Sequence, residues 1–82
     1  MKEQDLKDLG FKINYVSEQE SGDEAFHYYT LEFGDHLSLI SPANTEVDKN
    51  NWYVEFFDFQ EVRFFGKRDL TALINLLNRN KV

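Results

Sequence analysis

Two hydrophobic periods alternate along the chain, one suited to helices and one to strands. Near the start, Leu6 and Leu9 lie three residues apart among Glu3, Asp5, Lys7 and Asp8. That short apolar stripe predicts a helix over about 2–9. Gly10 falls where helices end on a left-handed residue, and Phe11 with Leu6 supplies the apolar pair of a Schellman ending. Two turns do not hold themselves together in water, so this helix has to dock on something. Phe11, Ile13 and Tyr15 then alternate with Lys12 and Asn14, the pattern of a half-buried strand. Residues 17–24 are polar, with four acids around Gly22, and read as an exposed turn or mobile loop.

Residues 25–33 and 37–41 read as a hairpin whose register can be argued. Tyr29, Leu31 and Phe33 share one face of the first strand, and Leu37 and Leu39 share one face of the second. A two-residue turn at Gly34-Asp35 would mix those faces. A three-residue loop, Gly34-Asp35-His36, sets Phe33 against Leu37 and Leu31 against Leu39, and is therefore the expected form. Pro42 closes the strand, and residues 42–51 read as a surface loop. Residues 52–59 and 62–65 carry the strongest strand pattern and predict a second hairpin turning within 58–61. Past Gly66, Leu70, Leu73, Ile74 and Leu77 repeat at helical spacing, predicting a helix from Lys67 to about Asn80. Gly66 is its expected N-cap; Asp69 suits its positive end, and Arg79 and Lys81 its negative end.

The expected fold is α+β: one domain over residues 1–82, an antiparallel meander of about five strands with the C-terminal amphipathic helix on one face and the short N-terminal helix beside it. The N-terminal helix is expected at an edge or on part of the opposite face.

Thirteen aromatic residues occupy or flank the predicted strands, and they do not keep to one side. Trp52, Val54 and Phe56 point one way and Tyr53 and Phe57 the other; Phe64 and Phe65 must also split. One helix of about thirteen residues, roughly 20 Å long, covers one face of a small sheet. Aromatic area is then left over, and contiguous exposed apolar area marks interaction sites. Trp52, Tyr53, Tyr28 and Tyr15 are the candidate binding residues, since such rings give large contact area at small entropic cost.

Composition narrows the function classes. The 82 residues contain no cysteine, which removes disulfides, thiolate metal sites and cysteine nucleophiles. Their net charge is −6, unevenly spread: residues 1–61 carry −10 and residues 62–82 carry +4. This disfavours direct nucleic-acid binding, which draws its affinity from neutralised phosphates. No apolar run reaches the roughly 20 residues of a membrane span, and no secretory leader is read at the start, so a cytoplasmic setting is expected. The glycines, at 10, 22, 34 and 66, are too scattered for a phosphate-cradling loop. His27 and His36 are too few for a metal centre and are expected at the surface. Glu32 and Glu55 sit mid-strand and are expected to face solvent. Glu32, Asp35 and His36 form the one cluster from which a small hydrolase could be argued, without a visible nucleophile–base arrangement.

The sequence therefore predicts a non-catalytic protein-interaction module, binding a protein partner or a second copy as a homodimer, with no cofactor, metal or small-molecule substrate. The alternative is a small acidic inhibitor, a nucleic-acid mimic aimed at a basic partner.

Overall fold

The computed structural model of the chain describes residues 1–80. Within them run α1 (Glu3–Asp8), β1 (Lys12–Val16), α2 (Glu18–Ser21), β2 (Phe26–Phe33), β3 (Leu37–Ile40), a 3-10 turn (Asn44–Glu46), β4 (Val54–Phe56), β5 (Phe59–Phe64) and α3 (Lys67–Arg79). The strands form one sheet in chain order, β1-β2-β3-β4-β5, every neighbouring pair antiparallel. The α+β meander is as expected; Lys81, assigned to the negative end of the last helix, lies outside the described residues.

α1 ends as its sequence dictates. The Phe11 N–H reaches the Leu6 carbonyl at 3.0 Å and the Gly10 N–H reaches that of Lys7 at 3.1 Å, the two bonds of a Schellman motif. Gly10 has φ +93°, a conformation a Cβ opposes, which is why a glycine stands there. Leu6 and Phe11 are both buried. The β2–β3 hairpin has the register required by its apolar faces, Phe33 opposite Leu37 and Leu31 opposite Leu39.

Three local expectations change. Residues 18–21 form a helical turn rather than an open loop: Ser17 Oγ accepts from the Glu20 N–H while the Glu20 carboxylate accepts from the Ser17 N–H, and Gly22 closes the turn at φ +74°. That Ser-x-x-Glu spacing is a capping box. The last hairpin turns earlier and more tightly, at Phe57-Asp58 with Phe56 opposite Phe59, and a bulge after Glu55 absorbs the extra residues of β5. Trp52 precedes β4 and pairs with the start of the chain, its N–H on the Met1 carbonyl at 3.0 Å.

Cross-strand partners share a face, so the registers sort the side chains into two layers. Ile13, Tyr29, Leu31, Leu39, Val54, Phe56 and Phe64 lie on one face. Leu6, Leu70 and Ile74 join them in the core cluster, with Phe11, Phe33 and Trp52. Both helices thus cover the same face. This corrects the expected placement of α1. The reason is visible in its contacts: Leu6 is fully buried in that core, and Lys67 at the start of α3 reaches Asp5 and Asp8 of α1 at 3.5 and 3.7 Å. The α3 stripe is as predicted, with Leu70 and Ile74 buried and Leu73 and Leu77 packed against the cluster.

This docking predicts a contrast. Leu70→Ala should cost about 2–5 kcal/mol in urea unfolding. Leu76→Ala, on the exposed side of the same helix, should stay within about 0.5 kcal/mol. Equal effects would contradict the assigned helix face.

Candidate binding surface

Among the described residues, neither α1 nor α3 lies on the other face of the sheet. The registers place one row of side chains straight across it: Lys12 opposite Thr30, Thr30 opposite Ile40, Ile40 opposite Glu55, and Glu55 opposite Arg63. A parallel row contains Asn14 and Tyr28, which are paired. Continued past the strand ends, it takes in Pro42, Tyr53 and Phe65. The rings of Tyr53 and Phe65 lie 5.3 Å apart, and those of Phe26 and Tyr28 6.4 Å apart. Tyr28, Phe26 and Tyr53 are half-buried, while Phe65 is 56% exposed.

Between the two ring pairs lies an open hollow of about 320 Å³, bordered by Phe26, Tyr28, Pro42, Glu46, Tyr53 and Glu55 among others. The loop after β3 builds one wall. Its 3-10 turn is held against β2 where the His27 N–H donates to Asn44 Oδ1 at 2.8 Å, so residues 42–46 form part of the surface rather than a detached loop.

Glu55 is on this face, as its parity requires, yet its side chain is only 13% exposed and its Oε2 is shut off from solvent. Arg63 Nε stands 3.6 Å from that oxygen, while the Arg63 guanidinium lies 4.7 Å from the Tyr53 ring centroid, a cation–π contact. The expectation of a freely solvated acid therefore fails for Glu55. Its neighbours in sequence, Tyr53 and Phe57, and its cross-strand partner Arg63 were the signal: a charge set among rings is shielded by them. Glu32 is exposed, as expected.

The four sequence candidates divide. Tyr28 and Tyr53 come together on the uncovered face and border the same cavity. Tyr15 is 73% exposed but belongs to the helix-covered face at the β1 edge, opposite His27. Trp52 is corrected: at 4% exposure it is a core residue, its ring 5.5 Å from that of Tyr29. Adjacent residues on an extended chain point opposite ways, so Trp52 and Tyr53 were never able to share a surface. Phe26 and Phe65 were missed as members of the face; their strand parity with Tyr28 and Tyr53 identifies them.

The second polar cluster lies on the covered side. Glu3 Oε2 accepts a 2.5 Å hydrogen bond from the Tyr29 hydroxyl and stands 2.6 Å from His27 Nε2. The His27 ring stacks on Trp52 at 6.2 Å, so this histidine is half-buried structure rather than the expected surface residue. Burial opposes ionisation of Glu3, but the hydrogen bonds from Tyr29 and His27 outweigh it and hold the carboxyl below its ordinary value of 4.5. Burial, then the hydrogen bond and charge of Glu3, push the Tyr29 phenol upward, so it stays protonated and donates. These contacts tie α1 to β2 across the core edge. His36, Asp35 and Glu32 border an open hollow of about 450 Å³ at the hairpin tips with Asp58. Among the described residues, no group of three or more His, Asp or Glu is arranged to hold a metal ion, and no helix is long and apolar enough to cross a membrane.

Comparison of the chain with protein-family models, with curated proteins and with solved structures finds no match.

Because the folded-state pKa of Glu3 is depressed, its contribution to stability is present above 4.5 and is lost as pH falls through the folded value. Glu3→Gln should therefore lower the urea midpoint most near neutral pH, with the deficit shrinking below pH 4.5. A deficit that stays constant with pH would show that the carboxylate's charge plays no part.

Proposed function

We propose that this protein is a non-catalytic interaction module whose uncovered sheet face binds another protein. The observation that carries the reading is the row of partly exposed rings, Tyr28, Tyr53 and Phe65 with Phe26 beside them, on the one face that neither α1 nor α3 covers. Rigid strands fix these rings, so little conformational freedom is lost on contact, and aromatic residues dominate the energetics of protein interfaces. The net charge of −6, and the acids Glu46 and Glu55 at the cavity, favour a partner of positive charge. A cytoplasmic setting belongs to the same reading.

A second reading has one observation in its favour. Glu18, Glu20, Asp23 and Glu24 are all exposed, and the capped turn of α2 presents Glu18 and Glu20 in a fixed array. Such an array suits an acidic inhibitor or nucleic-acid mimic seated on a basic groove. Binding of that kind falls steeply with salt, because exposed charges are screened beyond about 8 Å at physiological ionic strength. Binding through rings changes much less.

Photocrosslinking separates these cases. A benzoylphenylalanine placed at position 53 or 65 should give protein adducts in the cells that make the chain, and the same group at position 76 or 19 should not. Serine in place of Tyr28 should abolish the adducts. A mass equal to twice that of the chain identifies a homodimer, and any other mass a foreign partner. Adducts from position 19 alone, lost at high salt, would favour the acidic reading; equal adducts from position 76, or none from 53 and 65, would overturn the proposal.

A further inference from the structure

Tyr15 lies off the uncovered face, at a sheet edge with its own geometry. In β2 the Tyr29 N–H donates to Ser41 Oγ and its carbonyl accepts from the Ser41 N–H, while the His27 N–H donates to Asn44 Oδ1. Both residues thus turn their backbone groups away from β1. Their partners across the ladder, Ile13 and Tyr15, therefore point their own N–H and C=O groups away from β2, out of the sheet. The groups of that parity on either side are already used. The Phe11 N–H donates to the Leu6 carbonyl, the Ser17 N–H to the Glu20 carboxylate, and the Ser17 carbonyl accepts from the Ser21 N–H. Among the described residues, nothing pairs with the outward groups of Ile13 and Tyr15.

The two edges of the sheet differ. β5 carries the usual protections against strand addition, a bulge after Glu55 and the exposed charges of Glu61 and Arg63. β1 pairs without a bulge, contains neither proline nor glycine, and has a single charge, Lys12 at its first position. The Tyr15 ring rests against His27 on one side, 5.9 Å between centroids, and is still 73% exposed. What fits this edge is the same strand turned around. With a two-fold axis through Asn14, Ile13 of each copy faces Tyr15 of the other, and each such pair exchanges both of its backbone hydrogen bonds. Every outward group is then satisfied. A slip of one residue sets outward groups against inward ones, and a slip of two meets the groups already used at Phe11 or Ser17. Any strand supplies hydrogen bonds, but a second copy also supplies matching side chains. Strand parity sets the Tyr15 ring beside Ile13 of the second copy, and Lys12 of each copy meets the end where the other carries the exposed Glu18.

We propose that β1 pairs antiparallel with β1 of a second copy of this chain, joining the two sheets edge to edge about Asn14. The axis stands perpendicular to the joined sheet, so α1 and α3 of both copies lie on one side and both uncovered faces on the other. The face assigned above to a protein partner is thereby presented twice, and a partner with a repeated binding segment engages both. An edge of this length buries little area, so the association is weak and follows concentration.

Sedimentation of the full chain over about a hundredfold range of concentration should show its mass rising toward that of two chains. Tyr15→Pro removes an outward N–H without removing a bond to β2; checked for folding by its amide spectrum, it should stay monomeric throughout. Register is read with introduced cysteines, since the chain has none of its own. Residues facing each other in a non-hydrogen-bonded antiparallel pair stand about 4.5 Å apart at Cα, within the span of a disulfide. Asn14→Cys should therefore dimerise at least about tenfold faster on oxidation than Glu61→Cys on β5, because pairing raises the local thiol concentration. Lys12→Cys mixed with Val16→Cys should give the mixed disulfide, and neither alone should dimerise at that rate. A monomeric mass at every concentration, equal trapping of Asn14→Cys and Glu61→Cys, or dimers that persist in Tyr15→Pro would each overturn the proposal. None of these results depends on the crosslinks from positions 53 and 65, so failure of this edge and failure of that face are told apart.

Discussion

Alternation of side chains along paired strands is the constraint from which the rest of this structure follows. Each residue of the meander is committed to one of two layers, and the helices have apolar stripes enough to close only one of them. Leu6 from α1 and Leu70 and Ile74 from α3 meet Tyr29, Leu39 and Val54 in a single cluster. The Lys67 contacts to Asp5 and Asp8 fix the two helices side by side, but these groups are substantially exposed, and such pairs contribute little energy. Apolar burial decides where the helices lie, and the bridges align them. With α1 and α3 on one side, the rings of opposite parity are covered by neither helix, and the 42–46 loop shields them only in part.

Much of this was legible from residue spacing because the determinants are local. The Schellman ending needed only Leu6, Gly10 and Phe11, and the β2–β3 register needed only the positions of Tyr29, Leu31, Phe33, Leu37 and Leu39. The α3 stripe and the splitting of Phe64 from Phe65 follow equally from periodicity. What was misread was either a local signal overlooked or a long-range contact. The Ser17-x-x-Glu20 capping box was in plain view but hidden among charges that read as loop. The residue type of Trp52 suggests a contact ring, but its parity puts it on the face opposite Tyr53, in the core. The bond from Tyr29 to Glu3 spans 26 residues, and no spacing rule links a strand tyrosine to an acid on the first helix. The placement of α1 beside α3 belongs to the same class, since it depends on a core assembled from both ends of the chain.

The candidate surface was legible in part for the same reason. That rings would be left uncovered is a counting argument about faces, and Tyr28 and Tyr53 follow from it. The shielding of Glu55 does not. It needs the cross-strand position of Arg63, the tilt of Tyr53 and the return of the 42–46 loop over the sheet. Those three features together shield an ordinary mid-strand acid among rings and pair it with Arg63.

The division of the sheet into one covered and one uncovered face can be measured directly by adding a soluble gadolinium chelate and reading the relaxation of ring protons in the monomer. The account predicts strong enhancement for Phe65, intermediate enhancement for Tyr28 and Tyr53, and almost none for Trp52 and Tyr29. Protection of Phe65 and Tyr53 equal to that of Trp52 would mean that this face is already closed within one chain, and would contradict the account.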